Sequence, residues 1–290
     1  MKDNLKISNL NFSYKNNEIL KDINLELNTG INVLLGENGA GKSTLMKILA
    51  TILPYSSGNI ELNQHNYKDI SLIKSNIAYL PQTFNLYAQL KGIELLKFVA
   101  KVKLGSNKET INKEINRVIE VTDINDYVYK NIKSYSEGMR RRLGIAQSLI
   151  GDPKLLIVDE PTAGLDPQQR INFNKILSSI SQDRIILLST HIIEDIESFY
   201  KKVIILNKKQ IRFSGTYEEF LKNPSESFFI GKIKGDKLKD LESKYLIISQ
   251  DLEEDAIKCK FFGEVDRSDF IEVTEATPTL QDIWTYYQLI

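Results

Sequence analysis

Two kinds of apolar patterning divide the 290-residue chain. Near the N-terminus, LKISNLNFSY and ILKDINLELN alternate apolar and polar positions at period two, which predicts half-buried antiparallel strands joined at the turn KNN. INVLL, IAYLP (Ile77 to Pro81), KLLIVDE (Lys154 to Glu160), RIILLST and KVIIL are continuous apolar runs, as expected of strands covered on both faces. Helical stretches separate them. Five buried strands interspersed with helices predict an α/β core around a mainly parallel sheet.

From Thr83 to about Ile150 the strand signals stop. IELLKFVAKVKL, ETINKEINRVIEVT and EGMRRRLGIAQSLI carry apolar residues at three-and-four spacing, the pattern of amphipathic helices, so residues 83–150 read as a helical insertion. After about Phe220 alternation returns in SFFIGKIKG, KYLIIS and AIKCKFFGE, followed by a terminal helix in TPTLQDIWTYY. Residues 221–290 hold nine basic and fourteen acidic side chains, a balance near −5 that sets them apart from the rest. The expected layout is one large domain over 1–220 and a small α+β accessory domain over 221–290.

Charge narrows the partners. Lys and Arg total 38, as do Asp and Glu, so there is no general attraction to nucleic acid or to an anionic lipid surface, and no nucleic-acid partner is expected. The single cysteine, Cys259, excludes an internal disulfide and reads as an inert strand residue. No apolar stretch approaches the roughly 18 residues needed to span a bilayer, and MKDNLKISNLNFSY lacks the apolar region of a signal peptide. The expectation is a cytoplasmic chain whose membrane role, if any, is borrowed from another polypeptide.

Chemistry enters at the junction between INVLL and LMKILATIL, where GENGAGKST fits the phosphate-binding loop that joins a strand to a helix. Without a Cβ, Gly36, Gly39 and Gly41 let the backbone curl, so that N–H groups from Gly36, Glu37, Asn38, Gly39, Ala40, Gly41, Lys42, Ser43 and Thr44 point at phosphate oxygens near a positive helix end. Lys42 neutralises the terminal phosphates, and Ser43 ligates Mg2+. This pattern implies a bound nucleoside triphosphate.

Downstream, LLIVDE ends an apolar strand in two carboxylates. Ligands gather at the carboxyl ends of parallel strands, so Asp159 reaches toward Mg2+ beside Ser43. Glu160 faces the other way along the pleat and polarises the water that attacks the γ-phosphate.

With these motifs in order, the first 220 residues or so resemble the ATP-binding subunit of an ABC transporter. The resemblance implies a P-loop ATPase core with an antiparallel β subdomain and a helical insertion, using ATP and Mg2+. It gives Tyr14 the part of the adenine-stacking aromatic, though a strand aromatic packing on its neighbours reads the same. Gln82 in YLPQTF matches the glutamine that contacts Mg2+ or the attacking water. His191, at the end of LLSTH, matches the histidine that touches the γ-phosphate and positions the catalytic glutamate. AGLD, Ala163 to Asp166, resembles the loop that crosses the family's dimer interface, while Asp166 and Pro167 equally suit a helix start.

The family signature LSGGQ corresponds to Tyr135, Ser136, Glu137, Gly138 and Met139. Ser136 and Gly138 retain the groups that present a hydroxyl and N–H donors to ATP held by the opposite subunit. Glu137 puts an anion where glycine is common. The ending TPTLQDIW resembles that of ATPases energising drug, antibiotic or peptide exporters, or is simply a helix capped by Thr279 with Leu280, Ile283 and Trp284 inward.

On this resemblance the partners are a second ATPase subunit, identical or not, meeting the first head to tail, and integral membrane permease subunits holding the chain at the cytoplasmic face. Phe84, Leu86, Tyr87 and Leu90 suit a permease-docking groove or core packing equally. A soluble ABC ATPase acting on ribosomes or DNA is the alternative. One ATPase domain and the lack of a sustained heptad run argue against it. Glu160 and His191 argue against a non-hydrolysing regulator.

Overall fold

The computed structural model describes residues 3–55, 57–193, 196–222, 224, 226–234, 237–253 and 256–290. The chain groups into two compact units, Met1–Asp195 with Phe199–Ser214, and Ile196–Ser198 with Gly215–Ile290.

In the first unit the period-two segments form β1 (Asn4–Tyr14) and β2 (Asn17–Asn28), antiparallel with Leu5 opposite Leu27 and Tyr14 opposite Asn17. Two strands that alternation alone does not single out, β4 (Ser57–Leu62) and β5 (His65–Asn66), complete a sheet in the order β2-β1-β4-β5. Its alternating face contributes Leu5, Ile7, Leu20, Ile23, Leu25 and Leu27 to the same core as Leu45, Met46 and Leu49. Burial at about 25 cal/mol per Å2 of apolar surface holds this sheet over the first helix.

The continuous apolar runs become β3 (Gly30–Leu35), β6 (Ile77–Leu80), β7 (Leu155–Asp159), β8 (Ile185–Thr190) and β9 (Lys202–Asn207). With β10 (Gln210–Gly215) at one edge they make a six-stranded sheet ordered β10-β9-β3-β8-β7-β6. The pairs β9-β3, β3-β8, β8-β7 and β7-β6 are parallel. The five expected strands are thus joined by a sixth, whose half-buried residues give no long apolar run. One polar residue interrupts β3: Asn32 is fully buried, and its amide donates to the carbonyls of Asn28, Gly30 and Ile186.

Helix α1 (Lys42–Leu49) follows β3, and α2 (Ile70–Asn76) leads into β6. The insertion supplies α3 (Gly92–Leu104), α4 (Lys108–Thr122) and α5 (Glu137–Leu149). Asn107 caps α4 by accepting the Thr110 N–H, and Ser136 caps α5 by accepting that of Met139. Helix α6 (Pro167–Ile180) has Pro167 in its first turn and Asp166 as cap, accepting the Gln169 N–H at 2.8 Å. Among the described residues no helix is long and apolar enough to cross a membrane.

In the second unit, β11 (Phe228–Ile233), β12 (Leu246–Glu253), β13 (Ala256–Phe262) and β14 (Glu272–Glu275) form an antiparallel sheet ordered β12-β13-β11-β14. Its apolar face packs Phe261 against Phe270 and Tyr245. Cys259 is buried in β13, where burial raises its thiol pKa and Sγ donates to the Gly231 carbonyl. Helices α7 (Tyr217–Lys222), α8 (Leu238–Lys244) and α9 (Leu280–Leu289) complete the unit. Thr279 and Asp282 close a reciprocal cap on α9. Ile283 and Trp284 are buried as the helical spacing implies, but Leu280, in the first turn, is only half-buried.

Candidate active site

The loop from Gly36 to Thr44 carries the glycines for two separate reasons. At Gly36 a Cβ would meet the Leu206 carbonyl at 2.6 Å, so the loop packs too closely on β9 for any side chain. Gly41 has φ +107, and a Cβ there would stand 3.0 Å from Leu20 Cδ2. No side chain caps α1. Its first-turn N–H groups therefore face the loop, as in helix N-termini that receive phosphate.

Lys42 is buried at the base of the loop. Its ammonium donates to the carbonyls of Gly36 at 2.7 Å and Glu37 at 3.1 Å, and lies 3.8 Å from Glu160 Oε1. Burial lowers its pKa, opposed by the charges of Glu160 and Asp159.

The two carboxylates leave β7 in different directions. Asp159 is nearly inaccessible: Oδ1 accepts the Ser189 hydroxyl at 2.6 Å, and Oδ2 accepts that of Tyr79 at 3.3 Å. Burial, reinforced by the neighbouring Asp159 charge and this hydrogen bond, raises the phenol pKa of Tyr79. Glu160 has φ +44, a left-handed conformation that costs a non-glycine residue roughly 1 kcal/mol or more. Beyond that turn its carboxylate meets three side chains. Gln82 Nε2 donates to Oε2 at 2.8 Å, while His191 Nδ1 stands 3.2 Å and Lys42 Nζ 3.8 Å from Oε1.

These groups line one cleft of about 480 Å3, together with Ile19, Glu37, Asn38, Gly39, Gly41, Ser43, Thr44 and Ala163. His191, 41% exposed, opens it to solvent, whereas Glu160 lies buried at its floor. A second cleft of about 370 Å3, beside Ile48, Pro54, Tyr55 and Ile70, has a mostly apolar lining without a carboxylate. Basic and acidic groups converge only on the former of these two.

Of the residues expected from sequence, the structure therefore joins the phosphate loop, Gln82, Glu160 and His191. Asp159 sits one residue below the lining. Tyr14, 46% exposed at the end of β1, makes an edge contact with Phe12 and does not line the cleft. Ser136 and Gly138 also lie outside it, with Gly138 against the Gln169 side chain. Glu137 turns to Arg141, whose Nε donates to its Oε1 at 3.0 Å. Phe84 packs beneath Arg141 and against Gly144, and Tyr87 is exposed. Sequence reading missed Ser189, Tyr79 and Ile19. Register could have found Ser189, because a polar residue ending one buried run stands beside the carboxylate ending another.

A phosphate loop at the end of a central parallel strand, with a paired carboxylate site on a nearby strand, defines a nucleotide-hydrolysing P-loop protein. Residues 20–163 match the family described as "ABC transporter". The lantibiotic transport ATP-binding protein SrtF of Streptococcus pyogenes is 38% identical over 216 residues, covering 71% of this chain and 90% of that protein. The bacitracin transport ATP-binding protein BcrA of Enterococcus faecalis is 30% identical over 275 residues, covering 91% and 87%. Among solved structures, cbiO1 of Clostridium perfringens, part of the ABC transporter complex cbiONQ, superposes with a TM-score of 0.70 at 28% identity, covering 76% of this chain and 90% of that one. The chain belongs to the ABC transporter ATP-binding family and is an ATPase.

Proposed function

We propose that the chain energises an exporter of antibiotics, drugs or peptides by dimerising head to tail around ATP with a second ATPase subunit. The observation that carries this reading is the separation of Ser136 and Gly138 from the cleft of Lys42 and Glu160. A subunit whose phosphate loop and signature residues stand apart is completed by the signature of its partner. The lantibiotic and bacitracin relatives, aligned over most of their own length, support the choice of cargo class.

In this reading Tyr14 stacks on adenine and Lys42 holds the β- and γ-phosphates. Glu160 accepts the proton of the attacking water, and His191 and Gln82 orient it. The donor set fits Mg2+, since Ser43 offers a hydroxyl, Asp159 a carboxylate and Gln82 an amide oxygen, the hard oxygens this ion prefers. Bound there, Mg2+ would neutralise charge on the phosphates. Closing and opening of the dimer reaches the permease subunits through the helical insertion, which keeps the chain peripheral at the cytoplasmic face of the membrane. The unit from Gly215 onward is the accessory domain.

Glu160→Gln tests this reading, because the amide preserves shape but cannot take the proton. Sizing chromatography of this variant should show a dimer with MgATP and a monomer without it. A variant that stays monomeric at saturating MgATP, or hydrolyses ATP at the native rate, would refute the proposal.

A further inference from the structure

The two carboxylates at the end of β7 share a support outside the recognised motifs. Ser189 lies fully buried on β8, opposite Asp159 in the parallel register. Its single hydroxyl serves both residues: the O–H donates to Asp159 Oδ1 at 2.6 Å, and the oxygen accepts the backbone N–H of Glu160 at 2.9 Å. On the far side, Tyr79 of β6 holds the other oxygen of Asp159 at 3.3 Å. Each flanking strand thus contributes one hydroxyl.

Adjacent anions repel, and both are needed in fixed and different places. The left-handed turn at Glu160 separates them, at a cost that surrounding structure must offset. Ser189 accepts the backbone N–H of the residue that makes that turn, and it holds a carboxylate oxygen of Asp159, the residue before it. A hydroxyl can accept and donate at once. A buried methyl at this position would leave the Glu160 N–H and one Asp159 oxygen each without that partner.

We propose that Ser189 is a positioning residue for ATP hydrolysis, setting the angle between the Asp159 and Glu160 carboxylates so that one faces the metal-nucleotide and the other the attacking water. Tyr79 is its weaker counterpart, acting on Asp159 alone. The proposal rests on the reading of the cleft as the hydrolytic site. It adds a residue that is fully buried behind the cleft lining.

The test compares Ser189→Ala, Ser189→Thr, Ser189→Cys and Tyr79→Phe with the wild type in the full-length chain. Readouts are kcat, KM for ATP, the Mg2+ concentration for half-maximal activity, and nucleotide affinity in EDTA. In Ser189→Ala we expect kcat to fall roughly 10- to 100-fold, as for a misplaced catalytic group. Half-saturating Mg2+ should rise about tenfold, with metal-free nucleotide affinity within about twofold of wild type. Ser189→Thr, which keeps the hydroxyl, should recover to within a few-fold, and Tyr79→Phe should shift the Mg2+ requirement only a few-fold. Wild-type kcat in the alanine variant, a threonine variant as impaired as alanine, or a parallel loss of metal-free nucleotide binding would overturn the proposal. Should the alanine variant not fold, Ser189→Cys decides: similar in size but a weak donor, it should reproduce the kcat loss, and wild-type kcat would overturn the role. Failure of the underlying reading is seen separately, as no ATP hydrolysis by the wild type.

Discussion

Gln82 donates to Glu160 across 2.8 Å, joining the segment that enters the helical insertion to the carboxylate at the floor of the cleft. The same carboxylate lies within 3.8 Å of Lys42 and 3.2 Å of His191. A displacement of the insertion that withdraws Gln82 therefore changes the surroundings of Glu160 without moving the phosphate loop. Gln82→Ala should keep nucleotide affinity within about twofold and lower kcat roughly tenfold, through loss of one orienting contact. Steady-state kinetics beside an equilibrium titration would separate the two effects. An equal loss in both would show that Gln82 supports the loop instead.

Lys42 is the opposite case. Its ammonium is held by two loop carbonyls at 2.7 and 3.1 Å, in the lining of the same cleft. Lys42→Ala should weaken ATP binding by about 100-fold, on the order of 3 kcal/mol for a buried charge-assisted contact. A fluorescent-nucleotide titration with unchanged affinity would sink the assignment of the loop.

The difference between these residues follows how each was legible in the sequence. GENGAGKST is a local pattern, readable because strand, glycines and helix are contiguous. Gln82, Glu160 and His191 come from three strands' ends, and only the order β8-β7-β6 brings them to one side of the sheet. The carboxylates ending LLIVDE singled out Glu160, and the family resemblance named Gln82 and His191; nothing in their spacing placed the three in contact. Ser189 was invisible because a serine in RIILLST carries no signal until its strand is paired with β7. The sixth strand, β10, escaped because edge strands need not be apolar on both faces.

Glu114 supplies a pH-dependent prediction away from the cleft. Both its oxygens accept from Arg117, at 2.8 and 2.9 Å, and Oε1 also accepts the Gly151 N–H at 2.8 Å, tying α4 to the turn after α5. The Arg117 hydrogen bond is the main cause holding the carboxyl below its ordinary pKa; burial opposes this and the Gly151 bond assists it. A depressed folded pKa stabilises fully above the ordinary glutamate value, and that contribution is lost as pH falls through the folded value. Glu114→Gln should therefore cost about 1–2 kcal/mol at pH 7, with the gap to wild type narrowing below about pH 4. Urea denaturation at both pH values checks this; a gap that stays constant would refute the charge argument.

Glu137 tests the signature stretch, because it places an anion beside Ser136 and Gly138. Were its carboxylate directed at a nucleotide phosphate, repulsion across a few ångströms would reach a few kcal/mol and oppose ATP-driven closure. The structure directs it to Arg141 one turn along, at 3.0 Å, where an acid in the first turn also favours the helix dipole. Arg141 is in turn buried over the Phe84 ring, so the pair braces α5 on the segment that follows Gln82. Removing it should loosen that brace slightly and leave the N–H donors of the helix start in place. Glu137→Gly is expected to keep ATPase activity within about threefold and to lower stability by about 1 kcal/mol. Gly138→Asp should abolish turnover, since in the proposed dimer its charge would occupy the end of α5 that meets the partner's nucleotide. Assays of both variants at saturating MgATP decide the matter. Activation of tenfold or more by Glu137→Gly would mean that this carboxylate restrains the site, and that the active half-site draws on the signature of a different partner.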